Sequence, residues 1–207
     1  MTAPRSSGVD IYLARHGEVE ANVQKVLVGR GDSPFTPAGL RHPAALAPAL
    51  SEIALARIYT SPVRRARESA ERLLAALDRA VPLEEAWAIA EIDAGELEGL
   101  RFEDVRARVG EFGRAEDFRY PGGESWGDVQ RRALAFVLDL ERAHPGGAVL
   151  LVTHAGVIAS LVAYHVGEPV GRYVRVRFGH DFLGRLRVEG GRIAGYERIR
   201  GTVDRWF

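Results

Sequence analysis

Two histidines and a group of arginines stand where a chain of alternating strands and helices would gather them. Arg15-His16-Gly17-Glu18 follows a short β-type run, Asp10 to Ala14. Thr153-His154-Ala155-Gly156 follows the most apolar run, Ala148 to Thr153. Thr60-Ser61-Pro62, with Arg64 and Arg65 just beyond, follows Ala56 to Thr60. Open α/β sheets bind ligands outside the carboxyl ends of their strands, so these side chains are expected in one crevice. Imidazoles among guanidinium groups, with no adjacent carboxylate pair and no HExxH, make a poor metal site. They make a good oxyanion site: Arg forks match phosphate oxygens, and backbone N–H groups at helix starts add donors. A neutral imidazole is also a nucleophile, and neighbouring arginines disfavour its protonated form. The pattern suggests phosphoryl transfer through a phosphohistidine.

The elements that must hold these residues can be read from spacing. Thr36 to Ser51 is expected to be helical, with Thr36 as N-cap and Pro37 in the first turn. Ser61 is expected to cap a helix running to Leu77, in which Leu73, Leu74 and Leu77 form an apolar stripe. Val81 to Glu85 reads as a strand, Glu124 to Ala143 as a helix capped near Ser125, and Ala155 to Val166 as the helix after the apolar strand. Val174 to Phe178, Gly184 to Val188 and Ile193 to Ile199 read as closing strands, the last two joined at Gly190-Gly191. The alternation predicts an α/β fold: a mostly parallel mixed sheet between two helical layers. Residues 1–8 read as a flexible tail and 9–207 as one domain, with 100–123 as a lid insertion over the site.

Composition sets limits. The 207 residues are 46% hydrophobic and 27% charged, with Lys+Arg and Asp+Glu equal at 28 each. No global basic field invites nucleic acid. No apolar run is long enough for a membrane helix, and the N-terminus has no secretory h-region. There is no Cys, which excludes thiol, disulfide and iron–sulfur chemistry and suits a reducing, cytoplasmic setting. Lys25 is the only lysine.

The motifs together resemble the histidine phosphatase (phosphoglycerate mutase-like) superfamily, branch 1. Arg15-His16-Gly17-Glu18 followed by Asn22 is similar to its RHGE-x-x-x-N signature, and Gly29 to Gly39 (GRGDSPFTPAG) to its G-x-x-D-x-P-L-T-x-x-G segment. Thr60 to Ala66 resembles its S-P-L-x-R-A segment, which aligns the functional arginine with Arg65 rather than Arg64. Glu91 to Gly99 is similar to E-x-x-x-G-x-x-E-G; Pro121 to Ser125 and Val152 to Gly156 complete the set, in family order. The resemblance implies a three-layer α/β/α sandwich, with His16 as nucleophile and with Arg15, Arg65 and His154 binding the phosphoryl group. It places Asn22 and Gly29 in the same pocket and makes Glu91 the general acid for the leaving alcohol, then the base for water. A bound phosphate dianion favours the protonated carboxyl that this role needs. Asp93, Glu96 and Glu98 are rival acids; Glu98 is expected to hold its loop, and Glu18 to pair near its helix start.

His42, His144 and His165 read as surface or structural, His180 as a remote pocket candidate, and Arg64 as solvated. Val19 departs from the Thr or Ser usual after RHGE, and His42-Pro43 replaces the usual Gln-Ala, so Pro43 can kink or restart its helix. After Gly167 the resemblance fades. The expected activity is a metal-independent phosphomonoesterase on a small phosphorylated metabolite, with no cofactor and with a monomer or homodimer both open. A cofactor-dependent phosphoglycerate mutase is the alternative, disfavoured because residues 100–123 are short and charge-balanced. A non-catalytic phosphoester-binding protein is another. Phe112, Phe118 and Tyr120 hint at an apolar or ring-bearing leaving group.

Overall fold

The computed structural model describes residues 8–110 and 115–205. Its centre is β1 (Val9–Arg15), paired in parallel with β4 (Ala148–Thr153), which pairs in parallel with β2 (Leu55–Thr60), and that with β3 (Leu83–Glu85). On its other side β1 runs antiparallel to β6 (Leu183–Glu189), which forms a hairpin with β7 (Arg192–Arg200). The order is β3-β2-β4-β1-β6-β7. A separate pair joins β5 (Val176–Phe178) to β8 (Val203–Arg205).

Strand alternation divides the core into two layers. Val9, Ile11, Leu13, Val149 and Leu151 pack with α5 (Trp126–Ala143) and α6 (Ala155–Val166). Tyr12, Ala14, Leu150 and Val152 pack with α2 (Ala47–Leu50) and α3 (Arg64–Leu77). Each fully buried Ile or Leu here contributes about 1.5–3 kcal/mol. Both faces of the central strands are therefore dry, which is why β4 is an unbroken apolar run. The architecture is a mixed sheet between helical layers.

Several expected elements differ. Thr36 to Ser51 is not one helix: turns lead to a 3-10 segment (Ala44–Leu46) and then α2. Pro43 and Pro48 carry no N–H to continue a ladder. Thr36 Oγ1 instead accepts from Gly39 N at 2.9 Å, a turn contact. Ser61 is not the N-cap of α3; Val63 occupies that position, and Ser61 Oγ accepts from Val63 N at 3.2 Å. Ser125 does cap α5, in a reciprocal pair with Asp128. Short helices α1 (Glu20–Val23), α4 (Phe102–Val109) and α7 (Val170–Tyr173), and strand β8, have no counterpart in the sequence reading. Residues 1–7 of the expected tail and Phe112 lie outside the described residues; Gly8 is buried, its carbonyl accepting from Gly146 N at 2.9 Å.

Candidate active site

Strand register brings the chemistry to one edge. Arg15 lies beside Thr153 and Thr60 beside Val152, so β1, β4 and β2 end almost level. The next backbone N–H groups continue the ladder, His16 N to Thr153 O at 2.9 Å and Ser61 N to Val152 O at 3.0 Å. His16, His154 and Ser61 therefore leave the sheet side by side.

Arg65, on the first turn of α3, is the hub. Its Nη2 donates to Gly29 O at 2.7 Å, its Nη1 to Gly31 O at 2.9 Å and its Nε to His16 Nε2 at 3.3 Å. Nη2 also meets His154 Nδ1 at 3.3 Å. Arginine has no acceptor, so His16 Nε2 and His154 Nδ1 must present lone pairs to it. His16 Nδ1 then carries the proton and donates to Gly17 O at 2.8 Å. His154 Nε2 likewise donates to Ser61 Oγ at 2.8 Å. Burial, reinforced by Arg65 and Arg15, holds both imidazoles well below the usual histidine pKa. His16 is thus a neutral base with its attacking nitrogen on the guanidinium side.

Arg15 Nη1 donates to Phe178 O, while its Nε is buried with no protein acceptor. Burial lowers its pKa to about 10, opposed by the charge of Glu91. Glu91 accepts from Ile92 N at 3.0 Å and from Gly156 N, at the start of α6, at 3.4 Å. A Cβ at Gly156 would collide with Glu91 Oε1 and the Trp126 ring, so the carboxylate reaches the helix only over a glycine.

Arg15, His16, Asn22, Gly29, Arg65 and Glu91 line one cavity of about 510 Å³. Asn22 Oδ1 is engaged by Val19 N at 3.1 Å, and Gly29 adopts φ +54 to offer its carbonyl to Arg65. His154 does not line the cavity. It stands one layer deeper, its ring 5.1 Å from that of His16, and backs Arg65. Of the four candidate acids only Glu91 reaches the cavity. Asp93 binds Arg30 and Gly95 N, Glu98 accepts from Arg30 N, and Glu96 is exposed. Glu18 lines the cavity but accepts from Thr36 Oγ1 at 2.9 Å. Arg64 pairs with Asp32 on the surface.

Three features extend the sequence reading. Arg30 Nε and Arg132 Nη2 both donate to the Glu91 carbonyl, at 3.3 and 3.1 Å, and both bind the Glu124 carboxylate. Burial pushes the Glu124 pKa up, but its hydrogen bonds from Arg132 and Asp93 N, with both guanidinium charges, hold it below the usual carboxylate value. Next, His180 Nδ1 meets the His16 carbonyl at 2.7 Å, and the ring of His42 stacks 5.8 Å from His180. His42 is therefore tied to the site, whereas His144 and His165 bond Tyr59 and the Ile193 carbonyl far from it. Finally, Ser61 contacts His154. The sequence signals were Arg30 within the Gly29 segment, Glu124 within the PGGES turn and His180 as a pocket candidate, and His180 does line the cavity.

The constellation gathers two neutral imidazoles, two buried guanidinium groups and one carboxylate at a single sheet edge. The chain matches the Histidine phosphatase superfamily (branch 1) over residues 11–195. It belongs to that superfamily. It is 37% identical over 177 residues to a 6-phosphofructo-2-kinase/fructose-2,6-bisphosphatase of Caenorhabditis elegans, covering 81% of this chain and 35% of the relative. A human relative of the same description is 35% identical over 174 residues, covering 80% and 33%. The chain spans about a third of the length of these curated relatives. Among solved structures, YhfR of Bacillus stearothermophilus superposes with TM-score 0.80 at 31% identity, covering 92% of this chain and 95% of that one. A mycobacterial glucosyl-3-phosphoglycerate phosphatase shares the fold, at TM-score 0.78 and 23% identity over 92% and 97% of the two chains. This histidine phosphatase superfamily member thus has phosphatases for neighbours in both comparisons.

Proposed function

We propose that the chain is a phosphomonoesterase that hydrolyses a small phosphorylated metabolite through a phosphohistidine on His16, with no metal. The observation that carries this reading is the His16 tautomer: Nδ1 donates to Gly17 O, so Nε2 presents its lone pair beside Arg65 Nε. As a phosphoryl group approaches, Arg65 Nε exchanges that lone pair for a phosphoryl oxygen, and Arg15 Nε supplies a further buried donor. The His16 Nε2–phosphorus bond then forms as the phosphorus–oxygen bond to the leaving alcohol breaks. Glu91, protonated, gives its proton to the leaving oxygen. A water next attacks phosphorus, Glu91 takes its proton, and the phosphorus–nitrogen bond breaks to return neutral His16 and inorganic phosphate. The charge stabilisation that a metal often supplies in phosphoryl transfer is here assigned to two guanidinium groups. His154 supports Arg65 in this scheme; a direct phosphoryl contact from it requires exchange of one of its two present partners.

The test is phosphate release from a panel of phosphomonoesters in excess chelator, comparing the parent with His16→Ala. Both phosphoglycerates belong in the panel, with product isomers assayed. Chelator-resistant release that disappears in the variant, with an acid-labile phosphoenzyme trapped in the parent, is expected. Release that needs a metal or survives loss of His16 overturns the mechanism, and isomer exchange without release replaces it with a mutase.

A further inference from the structure

The cavity is larger than a phosphoryl group needs, and the side chains of its outer part have a narrow chemistry. Phe102, Val105, Arg106 and Val109 recur at helical spacing on α4 and turn one face to it. Further lining comes from Val23, Lys25 and Val26 and from residues 174–177, again valines interrupted by cations. Across the whole cavity six cationic side chains meet two carboxylates, among the described residues. Both carboxylates, Glu18 and Glu91, already have hydrogen-bond partners. A phosphate dianion balances Arg15 and Arg65 and leaves the outer cations over.

Two of those cations are available. Lys25, the sole lysine of the chain, sits at φ 58 just past α1, where its carbonyl accepts from Phe102 N and so fastens it to the start of α4. Arg177 on β5 adjoins Phe178, whose carbonyl holds Arg15, and its charge is felt at Arg15 and His180. Neither Lys25 nor Arg177 makes an ion pair among the described residues. Beyond the phosphoryl cradle the side-chain acceptors of the cavity are few among the described residues: Glu18, already bonded to Thr36, the His180 ring and the Tyr120 hydroxyl. Ring hydroxyls of a sugar need acceptors as well as donors, and Lys and Arg supply none. Carboxylates and phosphates need donors alone.

We infer that the leaving group carries a second anionic group, a carboxylate or a phosphate, on an otherwise apolar frame, with Lys25 and Arg177 as its anchors. This rests on the phosphomonoesterase reading and departs from a sugar bisphosphate, the substrate named for the curated relatives. Lys25 and Arg177 thus set specificity, while the apolar face of α4 receives the frame between the two charged ends.

The experiment compares kcat/KM for 4-carboxyphenyl phosphate, 4-(phosphonomethyl)phenyl phosphate, the neutral 4-carbamoylphenyl phosphate and fructose 2,6-bisphosphate. At least one anionic aryl substrate is expected to exceed the carboxamide by about tenfold, the scale of one charge-assisted hydrogen bond. The order of the carboxylate and the phosphonate identifies the preferred anion. Lys25→Met and Arg177→Met should each bring the anionic-to-neutral ratio toward one. A ratio near one in the parent, a ratio unmoved in both variants, or the sugar bisphosphate as best substrate overturns this inference alone. No phosphate release from any of the four substrates overturns the phosphomonoesterase reading, and the inference with it.

Discussion

Arg132, on α5, donates to the backbone carbonyl of Glu91 at 3.1 Å, so the main chain of the proposed acid is held by a side chain 41 residues away. Arg30 binds the same carbonyl, and Glu124 sits between the two guanidinium groups. The main chain of the acid is therefore held by an ion network, while its carboxylate rests on Ile92 N and Gly156 N. Glu124→Gln keeps the shape and removes the charge that holds the arginines. Its expected effect is a loss in kcat of about tenfold to a hundredfold, the scale of a small misplacement of a catalytic group, with KM little changed. Glu124→Ala should in addition cost about 1–3 kcal/mol of stability, because two partly buried guanidinium groups lose the carboxylate they share, Arg30 keeping Asp93 and Arg132 only backbone carbonyls. Steady-state kinetics and urea unfolding separate these effects, and a rise in KM at constant kcat contradicts the positioning role.

Gly156 makes the second contact of the acid. A side chain there meets both Glu91 Oε1 and the Trp126 ring. Gly156→Ala should push the carboxylate off the start of α6 and cost about 1–3 kcal/mol by overpacking. The expected kinetic signature is a fall in kcat larger than that of Gly167→Ala, a control whose added methyl meets nothing within 4 Å although its φ of +70 is itself strained. Equal kcat values in the two variants would sink the argument.

Acid should unfold this protein early. His16, His154 and His180 are buried and held below the ordinary value of 6.5, His180 to about 2. Their folded values lie below their unfolded ones, so the unfolded chain binds more protons as pH falls below about 6.5. The stability they confer is complete above that pH and is lost progressively beneath it. Each histidine withdraws about 1.4 kcal/mol per pH unit once the unfolded form is protonated. The midpoint of urea unfolding should drop steeply between about pH 6.5 and 5, and His180→Asn should flatten that slope by about one proton. A midpoint constant over this range would refute it.

Much of the site was legible because strand ends are legible. A β-type run followed by a charged or hydroxyl residue announces both the element and its carboxyl edge, and Arg15, His16, Thr153 and His154 all lie at such edges. Capping was legible at Ser125, whose partner Asp128 is three residues away. It failed at Ser61, because a serine before a proline looks the same whether it caps α3 or faces a histidine 93 residues distant. The helix expected from Thr36 failed because Gly39 packs against the backbone of Glu18, a contact no periodicity encodes. The clamp on Glu91 and the ties of Arg15 to Phe178 and His16 to His180 link residues 41 to 164 positions apart. Only the assembled sheet brings those groups together.

His180 illustrates the last point and yields the last prediction. Its Nδ1 proton serves the carbonyl of His16, so it fixes the peptide that carries the proposed nucleophile, while its ring lines the same cavity. Its other face stacks on His42, which in turn accepts weakly from Glu18 N at 3.5 Å. The row His42, His180, His16 thus links the turn after Thr36 to the nucleophile. His180→Phe fills the same space but leaves the His16 carbonyl without its donor, at a cost of about 1–3 kcal/mol and with a fall in kcat of about tenfold. His180→Asn can place an amide N–H near the former Nδ1 and should recover most of that kcat while losing the stack. If the two variants are equally slow, the ring rather than the hydrogen bond does the positioning, and if both match the parent, His16 is held by β1 and Gly17 alone.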